Sequence, residues 1–113
     1  MIELNRGEVW FGDLDPIQGH EQGGPRPLLI VSVNAFHRGP SGLVVVLPIT
    51  RTRRPIAFHV SIESGEGGLR ASSAILCDQI RTITAERLRE RWGHVSETTL
   101  RSVEERLRRL LNL

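Results

Sequence analysis

The side chains best suited to chemistry lie in one short segment, residues 19–27, which reads Gly-His-Glu-Gln-Gly-Gly-Pro-Arg-Pro. It places an imidazole (His20), a carboxylate (Glu21), an amide (Gln22) and a guanidinium (Arg26) within seven residues. Three glycines and two prolines oppose regular structure, and exposed loops commonly hold binding and catalytic groups. The segment therefore predicts a candidate site on a surface loop. An ordinary polar loop, in which Arg26 pairs with Glu21 or caps a strand end, is the alternative.

The rest of the sequence lacks the spacings of common catalytic and metal sites. It has no P-loop, no Gly-x-Ser-x-Gly elbow and no zinc-protease motif, and its one cysteine and four histidines are too scattered for a zinc cluster. Cys77 follows apolar Ile75 and Leu76, which predicts a buried strand residue and not a nucleophile. We therefore expect no metal and no cofactor. The remaining histidines are predicted to be structural or at the surface: His37, His59 and His94.

The charged and aromatic residues limit the classes of function. The fifteen basic residues, all arginines, face thirteen acidic ones, so the net charge is only +2. The arginine fork suits phosphate, although genome composition explains an all-arginine set equally well. With five aromatic residues and no tyrosine, one subunit cannot stack several successive bases as an RRM does. The longest apolar run, residues 43–47, is far shorter than the roughly 20 residues of a membrane span, and no leader-like run opens the chain, which predicts a cytoplasmic protein.

A chain of 113 residues fits one domain, residues 1–113. Alternating or continuous apolar residues predict strands as far as about residue 83, and the first of them, around residues 8–14, is expected to be half-buried. Further strands are predicted at residues 28–31, 43–47, 56–62, 74–77 and 80–83, and Pro48 is expected to end the third strand.

The C-terminal part of the chain favours helices. Ser96 is a good N-cap before apolar residues at helical spacing, and residues 84–88 are predicted to form a shorter helix. Short strands, glycine and proline turns and a late helix together predict an α+β fold that is mainly β. The expected architecture is a small, strongly curved antiparallel sheet or barrel with helices at one side.

Five segments carry a more specific pattern: Arg6-Gly7-Glu8-Val9-Trp10, Asp15-Pro16, Gly19-His20-Glu21-Gln22-Gly23-Gly24-Pro25-Arg26-Pro27, Pro48-Ile49-Thr50 and Cys77-Asp78-Gln79-Ile80-Arg81. In this order they closely resemble the MazF/PemK (Kid) family of toxin endoribonucleases, the mRNA interferases of type II toxin–antitoxin systems. The resemblance covers essentially the whole chain. It implies an SH3-like, CcdB/PemK-type barrel with a C-terminal helix, which agrees with the predicted order of elements.

The resemblance also implies an activity and partners. The activity is sequence-specific, metal-independent cleavage of single-stranded mRNA, in which the substrate's own 2′-hydroxyl attacks the adjacent phosphate. The products carry a 2′,3′-cyclic phosphate and a 5′-hydroxyl. The implied partners are a second copy of the chain, in a homodimer whose RNA groove crosses the two-fold interface, and a cognate antitoxin protein that fills this groove.

This reaction needs an acceptor for the 2′-hydroxyl proton, donors that stabilise a doubly charged phosphorane, and a proton for the leaving oxygen. Arg26 is the candidate for stabilising the phosphorane, because a guanidinium donates to two phosphate oxygens at once. The family is often described with the matching arginine as general acid, but the free arginine pKa above about 12 disfavours that role. By resemblance, Thr50 hydrogen-bonds the scissile phosphate, with the capping of a turn as its alternative role. Glu21 is the candidate general base, and His20 is a candidate phosphate contact or proton shuttle because histidine titrates near neutral pH.

The other candidates are assigned to RNA binding. In the Kid branch the chemistry is assigned to an Arg-Cys-Asp segment, whereas this chain has Leu76 at the position of that arginine. The departure favours Arg26 and Thr50 as the catalytic pair and leaves neighbouring polar groups to position or recognise RNA. These groups are Gln22, Asp78, Gln79 and Arg81. Arg51 and Arg53 follow Thr50 and are candidates for backbone contacts, with a solvated turn as the alternative.

Two functions from other classes stay open. A sister family with the same barrel poisons DNA gyrase by binding it, without catalysis, and carries a tryptophan near its C-terminal end. This chain ends Leu110-Leu111-Asn112-Leu113 and lacks that feature. A simple SH3-like binding module is the other alternative, but it leaves the polar loop and Thr50 unexplained.

Overall fold

Residues 3–16 and 18–113, which the computed structural model describes, form seven strands and two α-helices. The strands are β1 (Glu8–Asp13), β2 (Pro25–Ile30), β3 (Leu43–Thr50), β4 (His59–Ile62), β5 (Ser73–Leu76), β6 (Arg81–Thr84) and β7 (Leu88–His94). The helices are the four-residue α1 (Asn34–His37) and the C-terminal α2 (Glu97–Leu111). Short 3-10 turns occupy Glu66–Gly68, Cys77–Gln79 and Ala85–Arg87. Within the described ranges, no helix is long and apolar enough to cross a membrane.

Strand β3 connects the sheet. Every pairing is antiparallel, in the order β4-β5-β3-β2-β1-β7, with β6 as a further partner of β3. Residues 43–46 of β3 pair with β6, residues 46–48 with β2, and residues 49–50 with β5. Among the described residues, β4 and β7 do not pair with each other, so the curved sheet is open. The predicted mainly β class with a C-terminal helix is confirmed, and of the expected sheet or barrel the structure has the open sheet.

Apolar side chains fill two cores, because neighbouring residues of a strand point to opposite faces. Val9 packs in the first core, together with residues of β2, β3, β5 and α2, whereas Trp10 packs in the second core, which contains residues of β2, β3 and β6. Strand β1 is therefore buried on both faces, and the expectation of a half-buried first strand is wrong.

Several strand boundaries differ from the prediction. Strand β2 begins at Pro25 and not at Leu28, because residues 25–27 pair with β1. Pro48 does not end β3, which continues to Thr50 with Pro48 opposite Leu28 of β2. Proline has no backbone N–H to donate to a neighbouring strand. Strand β3 tolerates Pro48 because its other edge changes partner there, from β6 to β5. Strand β4 begins at His59 and not at Ile56, because residues 51–58 form an exposed loop with no strand beside it.

The shorter helix predicted at residues 84–88 is also wrong. Residues Ala85–Arg87 make a 3-10 turn, and Leu88 begins β7, which pairs with β1. The charged sequence of β7 resembles the surface of a helix. However, β7 is an edge strand, where charged side chains can point into water. The tail helix is confirmed. Oγ of Ser96 accepts a hydrogen bond from the backbone N–H of Thr99 at 3.2 Å, and α2 ends at Asn112 in the left-handed conformation (φ 56°).

Arg6 and Glu8 connect the start of the chain to the segment after β2, to β7 and to α2. Arg6 Nε donates to the carbonyl of Val31 at 3.0 Å, and Arg6 Nη2 lies 2.8 Å from Oε2 of Glu104 on α2. The buried carboxylate of Glu8 accepts hydrogen bonds from Trp10 Nε1 at 3.1 Å, from Arg91 Nε at 2.7 Å and from the backbone N–H of Asn5 at 2.8 Å. Burial alone raises the pKa of Glu8, but these bonds outweigh it and the pKa is lowered.

We expect Glu8→Gln to destabilise the protein by about 2 kcal/mol near neutral pH, since it removes charge-assisted hydrogen bonds from a buried site. The lowered pKa means that this contribution is present above the unfolded pKa of about 4.3 and is lost as the pH falls through the folded pKa. Urea unfolding of the wild type and the variant at decreasing pH measures it, with the exposed Glu86→Gln as control. The gap between wild type and Glu8→Gln should narrow in acid, and a gap that stays constant contradicts the assignment.

Candidate active site

Arg26 and Thr50 meet at one cleft because β2 and β3 are paired. Leu28 lies opposite Pro48 at the end of this pairing, and Arg26 and Thr50 each lie two residues beyond that last pair, Arg26 toward the start of β2 and Thr50 at the end of β3. We call this site the cationic cleft. It is lined by Phe11, Pro25, Arg26, Pro27, Ile49, Thr50, Arg51, Leu69, Arg70, Ala71, Ser73 and Trp92.

The electrostatics of the cationic cleft suit an anion. Three guanidiniums line it, those of Arg26, Arg51 and Arg70, and no carboxylate is among its described lining residues. Arg26 Nε donates to the carbonyl of Gly23 at 2.8 Å, while its two terminal nitrogens make no hydrogen bond with the described residues. The cleft thus offers a guanidinium held at one end and free to donate at the other. Thr50 lines the same cleft, and its Oγ1 accepts a hydrogen bond from the backbone N–H of Thr52 at 3.2 Å, as in the alternative role of capping a turn.

Burial also affects the protonation of Arg26. Desolvation lowers its pKa, and the charge of Asp15 partly opposes this. Asp15 Oδ1 in turn accepts a hydrogen bond from the backbone N–H of Gly24 at 2.8 Å, which fixes the glycine turn before β2. Gly24 has φ +71°, a conformation that favours glycine. Asp15 therefore acts on Arg26 both by its charge and through the backbone.

A second pocket, which we call the loop pocket, gathers most of the other candidates. It is lined by His20, Glu21, Gln22, Asp78, Gln79, Ile80 and Arg81. The backbone N–H of Gln22 donates to Gln79 Oε1 at 2.7 Å, and Arg81 Nη1 lies 3.8 Å from Glu21 Oε2. These contacts hold the predicted loop against the 3-10 turn that follows β5, although the two segments are far apart in the sequence.

The candidates therefore divide between two pockets. Arg26, Thr50 and Arg51 line the cationic cleft, whereas Glu21 lies in the loop pocket with the predicted RNA contacts. The segment between residues 20 and 27 borders both, which makes the pockets neighbours. Arg53 lies in the exposed loop after β3 and is not among the residues that line either pocket. As predicted, residues 18–24 form an irregular surface loop, but the end of the polar segment belongs to β2, so Arg26 lies on a strand paired with β1 and not on the predicted loop.

Histidine and cysteine residues complete the surroundings. His59 Nε2 lies 3.1 Å from Asp78 Oδ1, so this histidine does have a partner at the loop pocket that its local sequence did not indicate. His37 is buried between Ser32 and the carbonyl of Leu4, in the predicted structural role. Cys77 is fully buried, as predicted, but it begins the 3-10 turn after β5 and is not a strand residue. Burial raises its pKa to about 12. In the described part of the chain, no three His, Cys, Asp or Glu side chains are grouped so that they could hold a metal ion.

Comparison with known proteins identifies the family. Residues 5–111 match the family model described as "PemK-like, MazF-like toxin of type II toxin-antitoxin system". The chain belongs to this toxin family. The prediction of a MazF/PemK relative is therefore confirmed.

Individual members of the toxin family are similar along almost their full length. Endoribonuclease EndoA of Bacillus subtilis (strain 168) is 34% identical over 105 residues, covering 92% of this chain and 90% of that protein. The crystal structure of MazF (Form-I) from Deinococcus radiodurans has a TM-score of 0.87 at 28% identity, with both chains covered completely. An endoribonuclease from Mycobacterial species, solved in complex with its cognate antitoxin, has a TM-score of 0.82 at 30% identity, covering 97% of this chain and 96% of that one.

Three lining residues of the cationic cleft were missed by the sequence reasoning. Arg70 follows a glycine turn that carries no motif, and Phe11 lies in the first predicted strand, where no local pattern marks it as a site residue. Trp92 lies on β7, which was not predicted as a strand because its sequence is rich in charged residues. Only the pairing of β7 with β1 brings Trp92 to the cleft.

We expect the Cys77 thiol to be unreactive in the folded toxin. With a pKa of about 12 it is protonated near pH 8, and its side chain is closed off from solvent. Alkylation by iodoacetamide at about pH 8 should be at least about 100-fold slower in native protein than in urea, as the pKa and the burial both require. Alkylation of the native protein at the rate of the unfolded chain would show an exposed thiolate, and the buried assignment would then be wrong.

Proposed function

We propose that this chain is the toxin of a type II toxin–antitoxin system and acts as a sequence-specific, metal-independent endoribonuclease on single-stranded mRNA. The observation that carries the proposal is the cationic cleft, in which Arg26 and Thr50 face a site suited to a phosphate. The family description and the name of the EndoA relative support it. We further propose that residues 1–113 work as one domain in the cytoplasm.

The reaction joins and breaks bonds at one phosphorus atom. The 2′-oxygen of a ribose attacks the adjacent phosphate, forms the P–O2′ bond and loses its proton to a base. The bond between phosphorus and the 5′-oxygen then breaks, and the 5′-oxygen takes up a proton. The products are a 2′,3′-cyclic phosphate and a 5′-hydroxyl. Negative charge builds up on the phosphoryl oxygens in between, so donors aimed at those oxygens accelerate the reaction.

Arg26 and Thr50 supply these donors in the proposal. The free end of the Arg26 guanidinium donates to two phosphoryl oxygens, and the Thr50 hydroxyl donates to the same phosphate. The lowered pKa of Arg26 is in the direction that eases proton donation, but charge stabilisation needs the cation and is the role we assign. Arg51 adds positive charge at the cleft, and Arg53 contacts the RNA backbone further out. Because guanidiniums supply the positive charge, this mechanism calls for no metal ion.

Glu21 accepts the 2′-hydroxyl proton in this scheme, which requires a ribose that lies between the loop pocket and the cationic cleft. The loop pocket then holds the neighbouring nucleotide. Its amide and charged groups, Gln22, Asp78, Gln79 and Arg81, match the donors and acceptors on base edges, and His20 lies at its rim as a phosphate contact or proton shuttle. Recognition in this pocket accounts for sequence specificity.

We expect Arg26→Ala and Thr50→Ala each to lower the rate of cleavage by about 100-fold or more, as loss of a transition-state donor does, while the fold and RNA affinity are largely kept. The measurement is cleavage of a long single-stranded RNA in excess EDTA, with cut sites and end groups mapped. Arg101→Ala, on the exposed side of α2, is the matched control. Affinity lost in proportion to activity would make both residues positioning groups, and a requirement for Mg²⁺ would contradict the metal-free mechanism.

Glu21→Gln should lower kcat by about 100-fold with less effect on KM, since it removes the base and keeps the shape of the side chain. Steady-state cleavage of an RNA with the mapped cut sequence separates the two constants. If the variant raises KM and leaves kcat unchanged, Glu21 positions RNA and another group accepts the proton.

We also propose that the toxin is a homodimer and binds a cognate antitoxin protein. A small domain gains core by pairing, and complexes with a cognate antitoxin are known for a relative that shares this fold. Light scattering should give twice the chain mass, and an antitoxin encoded beside this chain should block cleavage when it is added in equal amount. A stable monomer that still cleaves RNA would contradict the dimer, and full activity with the bound antitoxin would contradict a shared RNA and antitoxin surface.

A further inference from the structure

The cationic cleft has an aromatic wall that the proposed chemistry does not use. The rings of Phe11 and Trp92 stack at a centroid distance of 5.2 Å with an angle of 13° between their planes. Both residues line the cleft and both are only partly buried. The stacked pair therefore lines the same cleft as the three arginines.

The two tryptophans of the chain differ in their surroundings. Trp10 is 4% exposed, lies in the second core, and its Nε1 is held by Glu8. Trp92 packs against the first core along one part of its ring, and its Nε1 donates to Glu90 Oε1 at 2.9 Å at the surface. Packing accounts for Trp10 entirely, whereas Trp92 leaves ring surface at the cleft, held in a fixed orientation.

Arg70 is the second unused feature. It is exposed on the turn before β5, lines the cleft, and makes no hydrogen bond or ion pair with the described residues. An arginine with no carboxylate beside it, in a cleft without acidic lining, is placed to bind a further phosphate.

We propose that Phe11, Trp92 and Arg70 form a nucleotide subsite next to the reacting phosphate. An unpaired base of the RNA extends the Phe11 and Trp92 stack, and the phosphate attached to that nucleotide binds Arg70. The subsite rests on the proposed function. Single-stranded RNA is recognised by stacking of its bases on aromatic side chains, and a single platform fits a chain with so few aromatic residues.

The fluorescence of Trp92 reports occupancy of this subsite, because Trp10 is buried away from it. The probe is an RNA with the cut sequence found by mapping, made with one 2′-deoxynucleotide at the scissile position. Titration with this RNA should quench the emission of the wild type. Replacing one nucleotide beside the scissile phosphate by an abasic residue should abolish the quenching and weaken binding about 10-fold or more, as loss of a base stack does.

Variants connect the effect to the residues. In Trp92→Leu, the same abasic replacement should no longer weaken binding, because the base has lost its platform. Trp92→Phe keeps a ring and should restore the sensitivity to the abasic residue. Arg70→Gln should weaken binding and reduce the salt dependence of affinity by about one phosphate contact, whereas Arg101→Gln on α2 should change neither.

The outcomes separate the subsite from the proposed function. If the wild type binds RNA but Trp92→Leu and every abasic replacement lower the affinity independently, the subsite is wrong and the endoribonuclease proposal stands. The same holds if RNA binds without changing the emission. The abasic series on the wild type decides the question even if Trp92→Leu fails to fold. If the wild type binds no RNA, or cuts at the 2′-deoxynucleotide, the proposed function is contradicted. The subsite is then contradicted as well, because it rests on that function.

Discussion

The pairing of β2 with β3 is the constraint on which the site depends. Arg26 and Thr50 are 24 positions apart in the chain, and they line one cleft because each lies two residues beyond the Leu28–Pro48 pair that ends the pairing. A slip by one residue would turn one of the two side chains to the opposite face of the sheet and separate the pair. The register is fixed because Leu28, Leu29 and Leu47, the β3 partner of Leu29, are fully buried in the two cores. Packing of apolar side chains beside the cleft thus maintains the geometry of the chemistry.

Electrostatics assign different tasks to the two pockets. Carboxylates line the loop pocket, where Glu21 faces Arg81 and Asp78 faces His59. Arginines line the cationic cleft, where no carboxylate opposes them among the described lining residues. A phosphate is favoured in the second environment and disfavoured in the first, whereas the edges of a base find partners in the first. The segment that carries Glu21 and Arg26 borders both pockets, which explains why so much polar chemistry is concentrated in a few residues.

Much of this could be predicted from the sequence, for reasons that particular residues make clear. The polar loop around Glu21, the tail helix after Ser96 and the burial of Cys77 follow from composition and local spacing, which physical rules relate directly to structure. The place of Arg26 on β2 does not, because the prolines on both sides of it indicated a loop. Long-range pairing does not have such a local signal. The charged residues around Trp92 resemble a helix surface in the sequence, and only the pairing of β7 with β1 shows that they form a strand. The extension of β3 through Pro48 also depends on a change of its neighbouring strand from β6 to β5. The division of the site into two pockets is likewise a property of the assembled sheet.

The central claim is that a phosphate in the cationic cleft is attacked by the 2′-oxygen of its own RNA strand. The most direct test uses two RNAs that carry the mapped cut sequence and differ only by the 2′-oxygen at the scissile nucleotide. The account predicts that the ordinary RNA is cut there, giving a 2′,3′-cyclic phosphate and a 5′-hydroxyl, and that the 2′-deoxy bond stays intact while other sites in the same molecule are cut. Equal cleavage of both bonds, or products with a 3′-hydroxyl and a 5′-phosphate, would contradict it.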